Sequence, residues 1–393
     1  MPNTLLTPTA VTRESLRILH QKLNFVGNVT RDYDDSFAKS GAKIGDTLKI
    51  RLPNQYTVRS GATLSAQDTV ESSVSLQVGT QKGVDLNFTS VDLTLSLDDF
   101  SKRIIEPAMA VLAASIESDA LSMYKDVNQS IWNGGAAATY NKALDTRIRL
   151  QNSLAPVSDR TMLLDPLAMG DVVKDTKSLF NDQSAIAKQY REGAMGRVAG
   201  YDWYENTLMP SHLRGDANGS YVCNTSTGIT SGTATITLSA GSGTIKKGDV
   251  FTIAGVNEVH PETKVDTGRL QQFVATADGT TSVAVYPTPV TSGAKQNIVI
   301  NSAGAGKAVV VAGTASTAVQ TGLAFQKGAF AFATADLVMP EGVDWAAREV
   351  YDGISMRIVR AYDINNDKFP CRLDVLYGYK TIRPELAVRY HNN

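Results

Sequence analysis

The sequence predicts an α+β fold into which a separate all-β domain is inserted. Helical and alternating strand patterns are mixed through the first 221 residues, and the same style returns after residue 325. Between them, in residues 222–324, charged side chains become scarce and short β patterns recur between Gly, Pro and Asp turns. Such a pattern is typical of a small barrel or sandwich. Segments that flank an inserted domain usually lie close together, so both flanks are expected to form one parent fold.

Composition favours a folded chain without a strong electrostatic target. The 393 residues are 42% hydrophobic and 20% charged, enough for two or three packed units at ~150 residues each. The formal net charge is −1, whereas a dedicated nucleic-acid-binding protein carries a strong basic excess. Tight DNA binding is therefore not expected, and weak contact with nucleic acid stays open.

Cysteine usage and hydropathy favour a soluble protein made in a cytoplasm. Cys223 and Cys371 are the only cysteines, too few for a disulfide framework or a zinc site. The opening MPNTLLTPTAVTRESL lacks the basic and apolar regions of a signal peptide. The longest apolar-rich stretch, residues 108–116, is far shorter than the ~20 residues that span a bilayer. No membrane partner is expected.

The N-terminal pattern predicts an amphipathic helix followed by a polar segment. Thr12 can serve as its N-cap, and Leu16, Leu19 and Leu23 repeat at three- and four-residue steps. The polar run TRDYDDSFAKSGAK follows at residues 30–43. The helix is therefore expected to belong to an arm rather than to the core.

A projecting β-hairpin is predicted next. Leu48, Ile50 and Leu52 alternate with polar residues, and alternation resumes at Val74 and again from Val84. Residues 54–73 are mostly polar and have no sustained apolar face. An isolated two-stranded ribbon is marginal in water, so this hairpin is expected to lie on something else.

A long helix and a mixed α/β segment complete the first flank. A capping-box pattern begins at Ser96. One apolar face then runs from Met109 to Val127, and the helix is expected to end near Trp132. Three further elements are expected, with a strand between two helices, at residues 143–154, 161–164 and 167–174.

Strand patterns dominate the inserted segment and the chain after it. The turn signal Lys246-Lys247-Gly248-Asp249 precedes a short strand at residues 250–254. After residue 325, alternation marks three more strands, which run through Phe330 and Phe332, through Ile354, Met356 and Ile358, and through Leu373, Val375 and Tyr377.

No arrangement of residues predicts catalysis. The histidines show no HExxH or other metal-ligand spacing and GxSxG is absent; they are His20, His212, His260 and His391. The stretch Gly304-Ala305-Gly306-Lys307-Ala308 resembles the end of a phosphate loop. However, Asn301 replaces the first glycine and Ala308 replaces the Mg²⁺-binding hydroxyl. A plain turn is expected there, and no enzyme activity, cofactor or metal site is predicted.

Two short motifs receive structural interpretations. Arg214-Gly215-Asp216 is the tripeptide that cell-adhesion receptors bind, yet a three-residue match arises easily by chance. We interpret it as a polar turn that leads into the inserted domain. The glycosylation patterns at Asn28 and Asn224 are not expected to be used, because no signal peptide is predicted.

Four stretches, together with the order of the parts, carry a resemblance to a known family. They are RVAGYDWYENTLMP (197–210), GTIKKGDVFTIAGV (243–256), VAVYPTPV (283–290) and ISMRIVRAYDINNDKFPCRLDVLYGYKTIRPEL (354–386). By these stretches the chain resembles the coat proteins of the short-tailed Salmonella phages, which are tailed-phage major capsid proteins. The resemblance implies the Hong Kong 97 capsid fold with an inserted β-barrel.

The resemblance also implies a domain organisation. In chain order it gives an N-terminal arm at residues 1–45, an E-loop hairpin with adjoining peripheral-domain strands at 46–95, a spine helix of the peripheral domain at 96–132, an axial domain at 133–221, the inserted β-domain at 222–325, and returning axial and peripheral strands at 326–393. The E-loop would lie across a neighbouring subunit.

A function and a set of partners follow from the resemblance. Copies of the chain would assemble as hexamers and pentamers with a scaffolding protein and a portal protein. The product would be a procapsid and then an icosahedral shell around double-stranded DNA, touched only by weak contact. Assembly is expected in the bacterial host cytoplasm, and the final location is expected to be the virion capsid.

Two departures from the family affect these expectations. Only residues 231–233 separate two β segments where some relatives carry a longer charged loop that touches the next capsomer. The hairpin has Lys49 and Lys82 at its base and Arg59 near its tip. Because arginine does not readily form the isopeptide bond seen in other branches of the fold, a non-covalent shell is expected.

Six residues are candidates for contacts between subunits: Tyr33, Asp34, Asp35, Arg59, Asp68 and Glu71. The first three belong to the predicted arm and the others to the hairpin. Simple solvation of each side chain is an equally good explanation.

A second hypothesis is a β-rich tail or adhesin component that binds a receptor or a glycan through the inserted domain. The aromatic residues of that domain are few and have the pattern of core residues, namely Phe251, Phe273 and Tyr286. This scarcity weighs against the second hypothesis. Assembly into shells is the property that separates the two.

Overall fold

The computed structural model describes residues 8–34, 47–59, 61–64, 66–68, 71–88, 104–176, 195–343, 345–351, 353–364 and 368–392. Within these ranges the α-helices are α1 (Pro8–Lys22), α2 (Glu106–Leu121), α3 (Tyr140–Asn152) and α4 (Pro166–Thr176). The strands are β1 (Thr30–Asp34), β2 (Thr47–Leu52), β3 (Ser72–Gln77), β4 (Thr80–Phe88), β5 (Ser130–Trp132), β6 (Arg160–Leu164), β7 (Arg197–Val198), β8 (Tyr201–Glu205), β9 (Ser211–Leu213), β10 (Val222–Cys223), β11 (Thr235–Ser239), β12 (Val250–Val259), β13 (Asp266–Ala275), β14 (Ser282–Tyr286), β15 (Ile298–Ile300), β16 (Lys307–Val311), β17 (Ala318–Gln326), β18 (Phe330–Ala335), β19 (Trp345–Tyr351), β20 (Ile354–Arg360), β21 (Phe369–Thr381) and β22 (Ala387–Asn392).

The chain forms two compact units, each built from three separate segments. The first unit contains Met1–Ile50, Ser73–Leu121 and Phe330–Ile382. The second contains Arg51–Ser72, Ser122–Ala329 and Arg383–Asn393. The three strands predicted after residue 325 therefore all lie in the first unit, whereas residues Arg383–Asn393 return to the second.

The first unit is organised around one six-stranded sheet. Its order is β1-β18-β21-β20-β19, and β4 pairs with the long strand β21. The pair β1–β18 is parallel and the other pairs are antiparallel. The alternation through Ile354, Met356 and Ile358 places these side chains in the core, which confirms the predicted strands.

Helix α1 belongs to the core of the first unit rather than to a free arm. Its Leu16 and Leu19, and Leu23 just beyond it, are buried, and α1 lies against α2 and β19. An apolar stripe of this length gains free energy only when it is removed from water. The helix also begins at Pro8, so the predicted N-cap at Thr12 is wrong; proline is favoured in the first turn of a helix.

A buried carboxylate ties the segment after α1 to helix α2. Glu117 on α2 accepts hydrogen bonds from the backbone N–H groups of Phe25 and of Val26, the latter over 3.3 Å. These groups stand at the start of the 3-10 helix Val26–Asn28, where N–H groups lack partners within a helix. Phe25 also packs edge-on against Phe330, with ring centroids 5.5 Å apart.

Helix α2 is shorter than its sequence pattern predicts. It ends at Leu121 and continues as a 3-10 helix over Ser122–Asp126. The predicted end near Trp132 is wrong, because Ser130–Trp132 form strand β5 and pair in parallel with Arg389, Tyr390 and His391. The predicted capping box at residues 96–99 lies outside the described residues.

The second unit contains a seven-stranded sheet and helices α3 and α4. The sheet order is β5-β22-β17-β6-β8-β7, and β9 also pairs with β17. Helix α3 begins after Thr139, whose side-chain oxygen accepts from the N–H of Lys142. Helices α3 and α4 and strand β6 fall where the mixed α/β pattern places them, so these three predictions are confirmed.

The inserted segment of the second unit is a β-barrel, as predicted. Its strands follow the order β13-β14-β11-β10-β16-β12, and a further pairing of β12 with β13 closes the ring, while β15 pairs with β12 alone. The barrel has its own apolar core, which includes Phe251, Phe273 and Ile236. Barrel strands run from Val222 to Val311, whereas β17 belongs to the neighbouring sheet, so the predicted limit of 325 lies beyond the last barrel strand.

The hairpin has the predicted layout of two strands and a polar tip. Strands β2 and β3 form a separate two-stranded sheet. The described residues between Leu52 and Ser72 contain no helix or strand. The later alternation from Val84 forms β4, which pairs with β21 instead.

Replacement of the buried carboxylate tests the anchoring of the segment after α1. Glu117→Ala is expected to lower the free energy of unfolding by about 1–3 kcal/mol, because two buried N–H groups lose their acceptor. Glu117→Gln retains a carbonyl acceptor and is expected to lose less. Urea unfolding of the monomer measures the change.

The matched control is Glu341→Ala, which removes an exposed glutamate of the same unit. It is expected to change the free energy of unfolding by less than about 0.5 kcal/mol. Equal effects of Glu117→Ala and Glu341→Ala would contradict the proposed role of the buried carboxylate.

Candidate functional site

A side-chain clip extends the hairpin beyond its paired strands. The carboxamide of Gln67 accepts from the N–H of Thr57 over 2.9 Å and donates to the C=O of Thr57 over 2.6 Å. This reciprocal pair reproduces the bonds that a neighbouring strand would make. The two arms of the hairpin are therefore held together between Leu52 and Ser72, where no backbone ladder exists.

Arg59 closes the tip of the same hairpin. Its guanidinium donates to the carbonyl of Gly61 and, over 3.1 Å, to the carbonyl of Thr63. Gly61 has a φ of +92°, a left-handed conformation that favours glycine. The predicted contact residue Arg59 thus shapes the loop that surrounds it.

The other five predicted contact residues occupy different environments. Glu71 forms an exposed ion pair with Arg51 at 3.4 Å, an interaction worth at most about 1 kcal/mol, and Asp68 is exposed on the hairpin. Tyr33 and Asp34 lie in β1, which pairs with β18, and Asp35 lies outside the described residues. The structure brings Arg59, Asp68 and Glu71 onto one hairpin, and all six remain predictions as contact residues.

Three apolar residues of the hairpin were missed by the sequence interpretation. Val58 is 97% exposed, Leu64 82% and Tyr56 57%. They are single apolar residues within a polar run, so no periodic pattern marks them. Their exposed position at the tip of the loop, rather than their spacing, makes them candidates for a contact surface.

A second cluster of polar residues lies where the barrel joins the seven-stranded sheet. The Asp249 side chain is fully buried and lies 3.0 Å from Nε2 of His212 through Oδ1. Its Oδ2 accepts from the N–H of Gly215 over 3.0 Å and from that of Lys246 over 2.9 Å. Since a carboxylate only accepts, the proton of His212 stands on Nε2, and Nδ1 accepts from the Tyr124 hydroxyl over 3.3 Å.

Arg214 ties together the two chain segments that connect the barrel to the sheet. Its Nη1 donates to the Gly313 carbonyl over 2.7 Å and its Nη2 to the Ala217 carbonyl over 2.9 Å. The side chain is buried, and burial lowers its pKa. In the structure Arg214 and Gly215 are buried and Asp216 is exposed, and the tripeptide lies in an irregular segment that leads from β9 into the barrel. Its predicted position is confirmed, and the turn comes just after it, at residues 219–220.

Arg389 reaches from β22 to the same junction. It is fully buried, and its Nη1 donates to the carbonyl of Gly248 over 2.7 Å. Its guanidinium carbon lies 6.0 Å from the ring centroid of Tyr124. Burial lowers the pKa of Arg389 to about 10. The turn predicted at Lys246–Asp249 therefore forms the base of the barrel, and Arg389 of the sheet binds it.

His391 lies beside this junction in a neutral form. Its Nδ1 is 3.1 Å from the hydroxyl oxygen of Thr321, and its ring lies 5.0 Å from the Trp132 ring, centroid to centroid. Burial, assisted by the nearby Arg389 and His212, holds the pKa of His391 well below its usual value. The histidine stays neutral because burial away from water disfavours its charged form.

The described part of the chain has neither a metal-binding cluster nor a membrane-spanning helix. No group of three or more His, Cys, Asp or Glu side chains that could hold a metal ion occurs among the described residues. No described helix is long and apolar enough to cross a membrane. Gly304 and Gly306, in the stretch that resembles a phosphate loop, lie in the loop before β16.

A protein-family model matches nearly the whole chain. The family model described as "P22 coat protein - gene protein 5" matches residues 21–389. No curated protein matches the sequence at a significant level.

Similar solved structures come from phage particles. A structure of Mycobacterium phage Che8 has a TM-score of 0.47 and 13% identity, covering 94% of this chain and 90% of that chain. The capsid structure of the cyanophage P-SCSP1u has a TM-score of 0.46 and 11% identity, with coverage of 93% and 86%. The mature capsid of bacteriophage PhiM1 has a TM-score of 0.46 and 12% identity, with coverage of 94% and 87%.

Acid is expected to weaken the junction through His391. The unfolded chain binds a proton near the ordinary histidine pKa of ~6.5, whereas the folded chain binds it only at lower pH. The contribution of His391 to the free energy of unfolding is therefore fully present above pH ~6.5. It is lost as the pH falls toward the lowered pKa of the folded state, by at most about 1.4 kcal/mol per pH unit.

His391→Asn removes the titration and keeps a polar group facing Thr321. Its free energy of unfolding is expected to fall less steeply than that of the wild type between pH 7 and pH 5, as measured by urea unfolding. Parallel pH curves for the two proteins would contradict the assignment.

Proposed function

The chain belongs to the P22 coat protein family, a family of structural capsid proteins whose copies form a shell, and we propose that it builds the icosahedral capsid of a tailed phage. In this proposal a scaffolding protein gathers the copies into a procapsid as hexamers and pentamers, around a portal protein. The finished shell encloses double-stranded DNA. The observation that carries the proposal is the family match over residues 21–389.

Charge and composition agree with this function. A net charge of −1 limits both repulsion between copies and tight binding to packaged DNA, so contact with DNA is weak. No catalytic role, cofactor or membrane partner is included in the proposal. Assembly takes place in the host cytoplasm, and the product is the virion capsid.

The hairpin is proposed to contact a neighbouring copy. Strands β2 and β3 form a sheet of two strands, whose base packs into the core of the first unit through Leu76, Leu48 and Ile50, so the proposed contact concerns the tip. Val58 and Leu64 are almost fully exposed at its tip, where burial against another copy would stabilise the assembly by roughly 25 cal/mol per Å² of apolar surface. Arg59, Asp68 and Glu71 surround this apolar tip as a polar rim.

The alternative of a glycan-binding or receptor-binding β-protein has less support. Phe251 and Phe273 are buried in the barrel core, and the Tyr286 hydroxyl donates to Glu385 over 3.2 Å. These rings are not available as a platform for a sugar. The Arg214 side chain is also buried, so a receptor that binds both the arginine and the aspartate of the adhesion motif would not reach the arginine.

Electron microscopy of the expressed chain tests the proposed function. The chain is produced in bacteria alone and together with a candidate scaffolding protein, and both samples are negatively stained. Round shells, or irregular shells that the scaffolding protein makes regular, are expected. Small discrete oligomers under both conditions would overturn the proposal and would direct attention to glycan-binding screens.

Polar substitution at the hairpin tip tests the contact between copies. Val58→Ser combined with Leu64→Ser is expected to reduce the yield of shells about tenfold, because apolar surface that drives association is lost. The free energy of unfolding of the monomer is expected to change by less than about 0.5 kcal/mol, because both side chains are exposed. Sedimentation and urea unfolding measure the two quantities.

The matched control is Val265→Ser, an exposed valine in the turn between β12 and β13. It is expected to leave the yield of shells near the wild-type value. Wild-type yields from the hairpin variant, or equal losses from both variants, would contradict a specific role of the tip.

A further inference from the structure

The barrel is connected to the rest of its unit by two chain segments that run side by side. The chain leaves the seven-stranded sheet at β9 and returns to it at β17, and these two strands pair antiparallel. The pairing continues into the connecting segments, since the Arg214 N–H donates to the Thr317 carbonyl and the Ser316 N–H to the Gly215 carbonyl, each over 3.2 Å. A two-segment connection of this kind restrains the distance of the barrel from the sheet and leaves its orientation to other contacts.

Three buried side chains supply such contacts at the connecting segments, in addition to the bonds of Gln272 with Ser130 and of Glu258 with Arg149 elsewhere on the barrel. Arg214 bridges the two connecting segments through the carbonyls of Ala217 and Gly313. Asp249, at the base of the barrel, accepts from the connecting segment at Gly215 and from His212 on the sheet. We call the three side chains Arg214, Asp249 and Arg389 the clasp.

Arg389 is the member of the clasp that approaches from the sheet. Its bond to the Gly248 carbonyl, at 2.7 Å, ends on the turn that carries Asp249. Gly248 has a φ of +96°, and a β-carbon there would stand 3.1 Å from Cε1 of His212 and 3.2 Å from Cγ of Lys125. The base of the barrel therefore fits closely against the sheet side, and the fit is set by backbone shape as well as by hydrogen bonds.

The chemistry of the junction differs from that of the barrel interior. The barrel core is a single apolar cluster that extends from Ala217 to Val311. Apolar burial is non-directional, whereas hydrogen bonds weaken steeply when their angles change. The apolar core can therefore hold the barrel together, and the clasp can hold it in one orientation.

We propose that Arg214, Asp249 and Arg389 are positioning residues that fix the orientation of the inserted barrel on the seven-stranded sheet, and that a regular shell requires this orientation. The first part concerns the monomer alone. The second part rests on the shell function proposed above.

Hydrogen exchange of the full-length monomer tests the first part. In Asp249→Ala, peptides from the connecting segments and the turn, residues 212–217, 244–249 and 312–317, are expected to exchange about tenfold faster than in the wild type. Strands β13 and β14 of the barrel core are expected to keep their protection. The matched control is Asp278→Ala, since Asp278 is exposed and also accepts from a backbone N–H of the same turn, that of Lys247, over 2.7 Å.

Three results would overturn the first part. The first is faster exchange throughout the barrel, which would make Asp249 a general stabiliser of the barrel. The second is unchanged exchange at the junction, and the third is an equal effect of Asp278→Ala. Should Asp249→Ala fail to fold, His212→Phe provides the same test. It keeps an aromatic ring beside Tyr124, whose ring centroid lies 5.8 Å away, and removes the bond to Asp249 together with the bond from the Tyr124 hydroxyl.

Assembly of the same variants tests the second part. The clasp variants are expected to give shells of irregular shape and broad size distribution by electron microscopy, while Asp278→Ala gives wild-type particles. Regular shells from a variant with a loosened junction would overturn the second part only. Failure of the wild type to form shells at all would instead overturn the proposed function and leave the exchange result standing.

Discussion

The buried carboxylate of Asp249 is the constraint on which the second unit depends. Removal of a charged group from water costs several kcal/mol or more unless donors replace the lost hydration. Its donors come from three places in the chain: the sheet at His212, the connecting segment at Gly215 and the barrel turn at Lys246. The acid is satisfied only when all three are in place, so one side chain links the folding of the insert to that of its host sheet.

The first unit also uses acids that bind more than one partner, one fully buried and one half-buried. Asp374 on β21 is fully buried and accepts from Arg357 over 2.7 Å and from Arg372 over 2.9 Å. Asp119 on α2 lies 2.6 Å from the Lys82 amino group and accepts from the Tyr377 hydroxyl over 2.6 Å. Asp119 joins three elements that are distant in sequence, namely α2, β4 and β21, whereas Asp374 joins the neighbouring strands β20 and β21.

The sequence predicts those features that depend on local patterns. Alternation predicted β18, β20 and β21, turn chemistry predicted the barrel, and the resemblance to phage coat proteins is confirmed by the family match. The features that depend on distant partners were not predictable. The helical pattern runs on past Leu121, and only pairing with β22, more than two hundred residues later, takes Ser130–Trp132 into a sheet. The role of Arg214 likewise depends on Gly313, about a hundred residues away.

The hairpin tip exposes apolar side chains in the single subunit. Gln67 and Arg59 already fix the shape of the loop, so little conformational freedom remains to be lost when the loop meets a partner, and association is correspondingly favoured. On the proposed function, the apolar tip would add modest free energy for each contact. In a closed symmetric assembly every copy both gives and receives such a contact, so small contributions accumulate around the shell. If the hairpin tip packed against its own subunit, its apolar residues would be buried before assembly and would add nothing to association. On the proposed function, Val58 and Leu64 are exposed in the single subunit and become buried only against the neighbouring copy.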